Sequence, residues 1–413
     1  MPYGPTPETS TSTASAPTAA PWIAQPSRHP RSTPNRALGR LRHASPALLA
    51  YAAVRLFGAL VFALWARRDH RDVWHLLAES WDCDWYLKIA DTGYTHTLGT
   101  QIDANNLAFF PLHPLLIRAG SVLVPEPRGA VGLAIAVVCS FLAAWGIFAV
   151  GDRLYGRRVG VLLAALWGSL PVALVQWMGY TESLFTALTA WALYSVLTGR
   201  WIWAGTLAAL AGLTRPTGVA LAAAVSLTAL LTLWRQGDRS RRGKDRRIAV
   251  RTLLGALLAP LGWLSYVAWV GFRLGRWDGY FAVQTLWRNE WDGGVGTLRT
   301  VRDLLAVERP QLFLMMVTAT LLASAALFVL SVGDRQPLPL LLFTGLLLLI
   351  VLGSKGVYFP RARFLLPAFP LLLPLAAALA RARVHVAVTV MVAAAVTSAA
   401  FGGHMLLGWH GPP

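Results

Sequence analysis

Long apolar runs separated by short polar segments dominate the chain from residue 46 onward. Many of these runs approach the roughly 20 residues that a helix needs to cross a bilayer. They cover residues 46–65, 129–150, 160–177, 183–197, 201–213, 218–234, 253–272, 312–332, 337–353, 364–379 and 384–407. The pattern predicts an all-α polytopic membrane protein with about 11 transmembrane helices.

Two stretches interrupt this pattern. The short run at 201–213 is followed by Thr214-Arg215-Pro216, where the proline ring and the charge predict a break between two helices. Residues 105–124 carry two asparagines, two prolines, His113 and Arg118, which suit a surface or re-entrant helix better than a span. The alternative is that 105–124 forms another span.

Composition supports a chain dissolved mostly in lipid, because 55% of its residues are hydrophobic and only 14% are charged. The net charge of +18 could suggest a nucleic-acid partner. However, the basic residues form short clusters between the apolar runs, as expected of cytoplasmic loops facing anionic lipid. We therefore expect membrane lipids, and no nucleic acid, as partners.

The distribution of basic residues predicts the domain organisation and topology. Residues 1–45 are rich in Pro, Ser, Thr and Ala, then in Arg, and predict a disordered basic cytoplasmic tail, with 46–413 as the membrane domain and 46–65 as a retained anchor. The basic segments at 151–158 and 235–251 should also face the cytoplasm. Both segments face the cytoplasm only if residues 105–124 do not cross the membrane. The outer loops are then 66–124, 179–182, 214–216, 273–311 and 354–363.

An aromatic stripe in the first outer loop predicts a helix that lies along the membrane interface. The stripe consists of Trp74, Leu77, Trp81, Trp85 and Ile89. Gly93 is expected to end this helix. Asp82 then lies beside the stripe on a face shared with Tyr86, whereas Asp84 lies on the charged side.

Asp82 and Asp84 have two interpretations at this stage. They are either a solvated pair of loop carboxylates or groups that take part in proton transfer. A metal ion would need more oxygen ligands than this pair supplies, and the sequence has no His/Cys cluster. We predict no dedicated metal site and leave a weakly bound divalent cation open.

Five short motifs follow one another along the chain. They are Trp81-Asp82 with Trp85-Tyr86, Ile89-Ala90 and Gly93-Tyr94; Phe109-Phe110-Pro111-Leu112-His113-Pro114; Tyr180-Thr181-Glu182-Ser183-Leu184-Phe185; Leu213-Thr214-Arg215-Pro216-Thr217-Gly218; and Arg363-Phe364-Leu365-Leu366-Pro367. In this order they resemble the signature of PIG-V-type mannosyltransferases, including bacterial members, over essentially all of the chain from Pro46 onward. His113 and Asp84 depart from that pattern, since an aromatic hydroxyl and a small or uncharged residue are more usual there.

The resemblance implies the GT-C architecture of integral membrane glycosyltransferases and a sugar donor carried on polyprenyl phosphate. The expected reaction is inverting transfer of mannose to an acceptor hydroxyl. Asp82 is the expected general base, with Asp84 as the alternative carboxylate. A base at this position would take the proton of the acceptor hydroxyl.

The remaining candidate residues fall into two groups. The leaving phosphate needs fixed cations; the candidates are Arg363, Arg361, Arg215 and Lys355. Helix capping and contact with lipid phosphates are the alternative roles for these cations. Candidates for acceptor binding or for support of the site are Glu182, Tyr86, His113, Gln284 and Trp287. Glu182 could equally cap a helix, His113 could be structural, and the aromatic residues of 273–311 could form an interfacial belt.

Several alternatives stay open. Mannose rests on the resemblance alone, so another polyprenyl-phosphate sugar could be the donor. A transporter or lipid flippase would show an internal repeat and charges at midplane, and we find no convincing repeat. No glycine-rich nucleotide motif favours a nucleotide sugar. The acceptor is expected to be a glycolipid or protein, and the arginine- and alanine-rich composition indicates a bacterial plasma membrane with the site facing outward.

Overall fold

The computed structural model describes residues 34–123, 127–236, 243–409 and 411–413, and their regular structure is helical. The helices are α1 (Pro34–Arg68), α2 (Val73–Ala78), α3 (Asp82–Thr92), α4 (Leu112–Leu123), α5 (Arg128–Tyr155), α6 (Arg157–Gly168), α7 (Glu182–Leu197), α8 (Trp201–Gly212), α9 (Gly218–Gln236), α10 (Gly243–Leu258), α11 (Leu261–Leu274), α12 (Gly279–Leu286), α13 (Val295–Ala306), α14 (Leu312–Gly333), α15 (Leu338–Gly353), α16 (Arg361–Phe364), α17 (Leu373–Arg381) and α18 (Val384–Gly403). Short 3₁₀ turns lie at Asn106–Ala108, Ala173–Trp177 and Phe369–Leu372.

Six segments of the described chain are long and apolar enough to cross a membrane. They are Gly39–Arg68, Arg128–Tyr155, Gly218–Arg235, Arg246–Leu274, Leu312–Gly333 and Val384–Gly408. Four apolar helices are shorter: Leu112–Leu123, Trp201–Gly212, Leu338–Gly353 and Phe369–Arg381. The predicted all-α polytopic membrane fold is confirmed, and the count of 11 spans stays a prediction.

The N-terminal boundary differs from the prediction. Helix α1 begins at Pro34 and continues through Pro46. The expectation of disorder up to residue 45 is therefore wrong for 34–45, because the helix extends beyond its apolar part, and residues 1–33 lie outside the described residues. Of the predicted basic loop 235–251, residues 237–242 also lie outside them, and α10 begins at Gly243.

The aromatic stripe of the first outer loop is divided between two helices instead of lying on one. Helix α2 ends at Ala78, and α3 begins at Asp82 after Trp81, whose φ of 54° and ψ of −116° are not helical. The prediction of one continuous helix through the aromatic stripe is wrong here, because the backbone at Trp81 turns the chain. Gly93 ends α3 with φ 79°, as predicted.

Other predicted interruptions are present. Helix α8 ends at Gly212 and α9 begins at Gly218, so the chain breaks around Thr214-Arg215-Pro216. Residues 105–124 form a 3₁₀ turn and then α4, which has 12 residues. At 1.5 Å per residue α4 is about 18 Å long, shorter than the roughly 30 Å hydrocarbon core.

Small residues allow the helices to pack closely. A Cβ atom on Gly160 of α6 would lie 2.7 Å from the carbonyl oxygen of Phe148 in α5, so only glycine permits this approach. Close contacts of this kind fix α1, α5, α6 and α7 as a compact group. The loops at one end of that group form the candidate site.

Candidate active site

Four charged side chains from distant parts of the chain meet at one end of the helical bundle. They are Asp82 at the start of α3, Glu182 at the start of α7, Arg215 between α8 and α9, and Arg363 in α16. Asp82 Oδ2 lies 2.7 Å from Arg363 Nη2, and Glu182 Oε1 lies 2.6 Å from Arg215 Nη1. Glu182 Oε1 is also 3.7 Å from Arg363 Nη1. We call these four residues the charge cluster.

Burial distinguishes Asp82 from the other members of the charge cluster. The side chains of Glu182, Arg215 and Arg363 are 1%, 9% and 6% exposed, whereas that of Asp82 is 21% exposed. Asp82 is therefore the member most accessible to a ligand. Two carboxylates face two guanidiniums, so the formal charges balance, as buried charges require.

Local backbone geometry places each member. The non-helical φ of Trp81 lets α3 begin at Asp82, and Tyr180 OH accepts a hydrogen bond of 3.4 Å from the Asp82 backbone N–H. Pro216 follows Arg215 at the break between α8 and α9. The positive φ of Trp81 is unfavourable for a non-glycine residue, at a cost of about 1–3 kcal/mol, and such residues are concentrated at functional sites.

Hydroxyl groups connect the charge cluster to its supporting helices. Arg215 Nη1 donates a hydrogen bond of 2.9 Å to Thr181 Oγ1, and Tyr86 OH lies 3.2 Å from the same oxygen. Tyr86 is buried one turn after Asp82 on α3. The predicted shared face of Asp82 and Tyr86 is confirmed, and Tyr86 supports the cluster through Thr181.

Aromatic rings enclose both guanidiniums. The guanidinium of Arg363 lies 4.8 Å from the centre of the Tyr180 ring and 5.3 Å from that of Phe364. The guanidinium of Arg215 lies 5.1 Å from the centre of the same Phe364 ring. These rings attract cations and exclude water, which strengthens electrostatic interactions within the site.

Arg363 keeps unused donors. Its Nε and Nη1 atoms are buried and have no hydrogen-bond partner among the described residues. Burial alone would lower the pKa of Arg363, but the carboxylates of Asp82 and Glu182 outweigh it and raise that pKa above its ordinary value. A permanently charged guanidinium with spare donors is suited to an anionic ligand.

The other predicted phosphate ligands lie outside the charge cluster. Arg361 is buried, donates to the carbonyl oxygens of Ser354 and Gly356, and contacts Thr297, so it holds the segment before α16. Lys355 is exposed, with its Nζ 3.7 Å from Glu290 Oε2. Neither side chain is brought to Asp82 with Arg363.

Asp84 also points away from the cluster. Its Oδ2 atom accepts a 2.6 Å ion-paired hydrogen bond from Lys88 Nζ, four residues later on the exposed side of α3. The structure therefore separates the two carboxylates, as the helical pattern predicts. Among the described residues, no group of three His, Cys, Asp or Glu side chains could hold a metal ion. A weakly bound divalent cation stays an open alternative.

His113 is fully buried beneath the site. Its Nε2 atom lies 3.0 Å from the carbonyl oxygen of Gly179, and its ring meets Tyr86 edge-on at 5.0 Å. Burial lowers the pKa of His113 to about 4, although the contact with Gly179 works in the opposite direction. The neutral ring can therefore donate to Gly179 and support the Tyr180-Thr181-Glu182 segment.

Gln284 lies in α12, and Trp287 caps the C-terminus of that helix. Gln284 Nε2 donates to Tyr280 OH at 3.0 Å. Trp287 Nε1 donates to the Asn105 carbonyl oxygen at 2.9 Å, and its ring packs edge-on against Trp85 and Phe109. Phe109 in turn contacts Tyr86. Trp287 is thus connected to the site through the aromatic rings of Trp85 and Phe109. Gln284 instead forms a hydrogen bond within α12.

Sequence reasoning missed several contributors. Tyr180, Thr181 and Phe364 lie inside quoted motifs but were not identified as site residues. Arg55 was also missed, as a buried charge outside the charge cluster: it lies in α1 and donates to the carbonyl oxygen of Gly168 at 3.1 Å, at the end of α6. A charged residue within an otherwise apolar run is the signal that could have identified it.

Comparison with known proteins gives a partial match. The family model of dolichyl-phosphate-mannose-protein mannosyltransferases matches residues 110–266, which include Glu182 and Arg215 but neither Asp82 nor Arg363. No curated protein gives a significant match.

The fold is similar to solved membrane enzymes. The structure of ArnT from Cupriavidus metallidurans bound to undecaprenyl phosphate aligns with a TM-score of 0.50 and 14% identity, over 80% of this chain and 61% of that one. The oligosaccharyltransferase of Archaeoglobus fulgidus in its apo form aligns with a TM-score of 0.48 and 15% identity, over 88% and 56% respectively. The chain therefore spans less than two thirds of either protein.

The specific resemblance to PIG-V-type enzymes stays a prediction after these comparisons. The assignment of the fold rests on the helical architecture and on the ArnT alignment. The chain has a GT-C-like membrane fold.

Proposed function

We propose that this chain is a glycosyltransferase that moves mannose from a polyprenyl-phosphate donor to a hydroxyl of a glycolipid or protein acceptor. The observation that carries the proposal is the contact between the accessible carboxylate of Asp82 and the buried guanidinium of Arg363. Group transfer from a phosphate-linked sugar needs a base for the acceptor and a cation for the leaving phosphate. These two groups lie side by side.

In the proposed reaction, Asp82 takes the proton of the acceptor hydroxyl. The acceptor oxygen then forms a bond to the anomeric carbon while the bond between that carbon and the phosphate oxygen breaks. The electron pair of the broken bond stays on polyprenyl phosphate. Attack from the opposite face converts a β-linked donor into an α-mannoside.

Arg363 is the proposed partner of the leaving phosphate. Its unpaired Nε and Nη1 atoms can donate to phosphate oxygens. Arg215 and Glu182 form the neighbouring ion pair of the charge cluster. Tyr86 and Thr181 fix Arg215, so these residues position the site without needing to touch the sugar.

Two comparisons support a lipid-linked donor. The family model that matches residues 110–266 is described by a dolichyl-phosphate-mannose donor, and the aligned ArnT structure contains undecaprenyl phosphate. We extend both to this chain as part of the proposal. We also propose that the site faces outward, on the charge-based topology, and that the membrane is a bacterial plasma membrane, on the arginine- and alanine-rich composition.

The test is transfer of radiolabelled sugar by the purified full chain. The assay compares polyprenyl-phosphate-mannose with other polyprenyl-phosphate sugars, in the presence of a membrane lipid and protein extract. Label in an α-mannoside product supports the proposal. Transfer of a different sugar would retain the mechanism and reject mannose. Movement of donor between leaflets without a new glycosidic bond would favour a flippase.

A further inference from the structure

An apolar groove runs along the outside of the bundle between α1, α6 and α18, with a volume of about 870 Å³. Its walls include Ala53 and Phe57 of α1, Val161 and Leu162 of α6, and Val388 and Val392 of α18. Arg157 and Arg158, the first two residues of α6, also line it. The groove therefore combines a hydrocarbon-like wall with two cations.

The three helices run in the same direction. His43, near the start of α1, accepts a 3.3 Å hydrogen bond from Nε of Arg157, the first residue of α6. Further along, Arg55 donates to Gly168, the last residue of α6. The groove uses the first half of α6, residues 384–396 of α18 and α1 from Pro46 to Phe57.

This placement separates the groove from the charge cluster. Helix α1 continues beyond the groove to Arg68 before the chain reaches Asp82. From Pro46 to Arg68 the helix rises about 33 Å at 1.5 Å per residue, roughly the thickness of the bilayer core. The groove therefore opens at the opposite end of the bundle from the site.

The depth of the groove matches one leaflet. From Pro46 to Phe57, α1 rises about 16 Å, which is close to half of the hydrocarbon core. Phe57, Val388 and Val392 remain substantially exposed along this length. An acyl chain entering beside the arginines would lie against these side chains.

The arginines provide charge complementarity for an anionic headgroup. Both are exposed; Arg157 Nε donates to His43, and Arg158 Nη2 donates to the carbonyl oxygen of Ala382 at 3.1 Å. In the described part of the chain neither forms an ion pair with a carboxylate, and the nearby Asp152 is paired with His43. The positive ends of the α6 and α18 dipoles lie at the same mouth.

We propose that this groove binds an anionic phospholipid of the leaflet opposite the active site. The acyl chains lie against α1 and α18, and the phosphate is bound by Arg157 and Arg158. This is a second lipid site, separate from the donor, and it does not depend on the identity of the transferred sugar.

The test uses the delipidated full chain in detergent and native mass spectrometry, with phosphatidylglycerol and phosphatidylcholine of identical acyl chains. The native chain is expected to retain phosphatidylglycerol in preference. Replacing both cations, Arg157→Gln with Arg158→Gln, should lower the affinity for phosphatidylglycerol about thirtyfold. Arg153→Gln, on the neighbouring turn outside the groove, is the matched control and should have little effect.

A second variant tests the apolar wall. Ala53→Trp fills the groove and should weaken binding of the acyl chains, whereas Ala393→Trp, on α18 outside the groove, should not. The two single variants, Arg157→Gln and Arg158→Gln, replace the double variant if it does not fold. Equal binding of the two phospholipids, or an equal loss with Arg153→Gln, overturns the proposal. Polyprenyl phosphate is added in a separate measurement, and loss of its binding instead of phosphatidylglycerol binding in the arginine variants also overturns the proposal, since the groove would then hold the donor.

Discussion

Asp82 Oδ2 and Arg363 Nη2 lie 2.7 Å apart although their residues are near opposite ends of the membrane domain. The contact joins the first outer loop to α16, the short helix before the last two helices. It places a candidate base beside a candidate phosphate ligand. Donor phosphate would compete with Asp82 for Arg363 and release the carboxylate toward the acceptor.

We predict that Arg363→Lys impairs transfer because lysine keeps the charge but loses the planar fork that binds two oxygens. The expected loss in kcat/KM for the donor is on the order of 10²-fold. Lys355→Gln is the control, since Lys355 is exposed and paired loosely with Glu290. Native kinetics in Arg363→Lys, or an equal loss in Lys355→Gln, would contradict the assigned role.

Arg361→Gln is expected to act on stability. Arg361 holds the carbonyl oxygens of Ser354 and Gly356, so its loss should leave these partly buried groups unsatisfied and lower the Tm. The folded fraction should keep a native KM for the donor. A raised KM with an unchanged Tm would instead make Arg361 a phosphate ligand.

Removing Glu182 should destabilise the protein. Glu182→Gln leaves Arg215 and Arg363 buried with one carboxylate fewer between them, and breaking a buried ion pair costs about 3–5 kcal/mol. Glu290→Gln, which removes an exposed partner of Lys355, should cost less than about 1 kcal/mol. Unfolding in detergent compares the two variants, and equal Tm values would contradict a structural role for the buried pair.

His113 should make stability depend on pH. Its pKa is about 4 in the folded protein, below the ordinary value of about 6.5, so the unfolded chain binds more protons between these values. Stability should therefore fall by up to about 3 kcal/mol as the pH drops from 6.5 to 4. His113→Gln should flatten the Tm over this range, while His385→Gln, at an exposed position, should not. An unchanged slope in His113→Gln would show that His113 does not titrate in this way.

Much of the fold was predictable because lipid imposes a simple pattern. The apolar runs indicated the helices, Gly93 indicated the end of α3, and Pro216 indicated the break before α9. The break between α2 and α3 was not predictable, because Trp81 adopts a positive φ that its residue type disfavours.

The site was predictable as a set of residues but not as a geometry. The motifs contain Asp82, Glu182, Arg215 and Arg363, which the structure brings together. Sequence spacing could not separate Arg363 from Arg361, because α16 is only four residues long and the direction of each side chain depends on tertiary contacts. The burial of Arg55 was not predicted, because a single charge changes the hydropathy of a long apolar run very little.

The most direct test of the central claim compares Asp82→Asn with Asp84→Asn in the labelled transfer assay. Asp82 contacts Arg363, whereas Asp84 pairs with Lys88 at the surface. The proposal predicts a loss of about 10²–10⁴-fold for Asp82→Asn and near-native turnover for Asp84→Asn. Near-native turnover in Asp82→Asn, with an inactive Asp84→Asn, would contradict the proposed base and the site built around it.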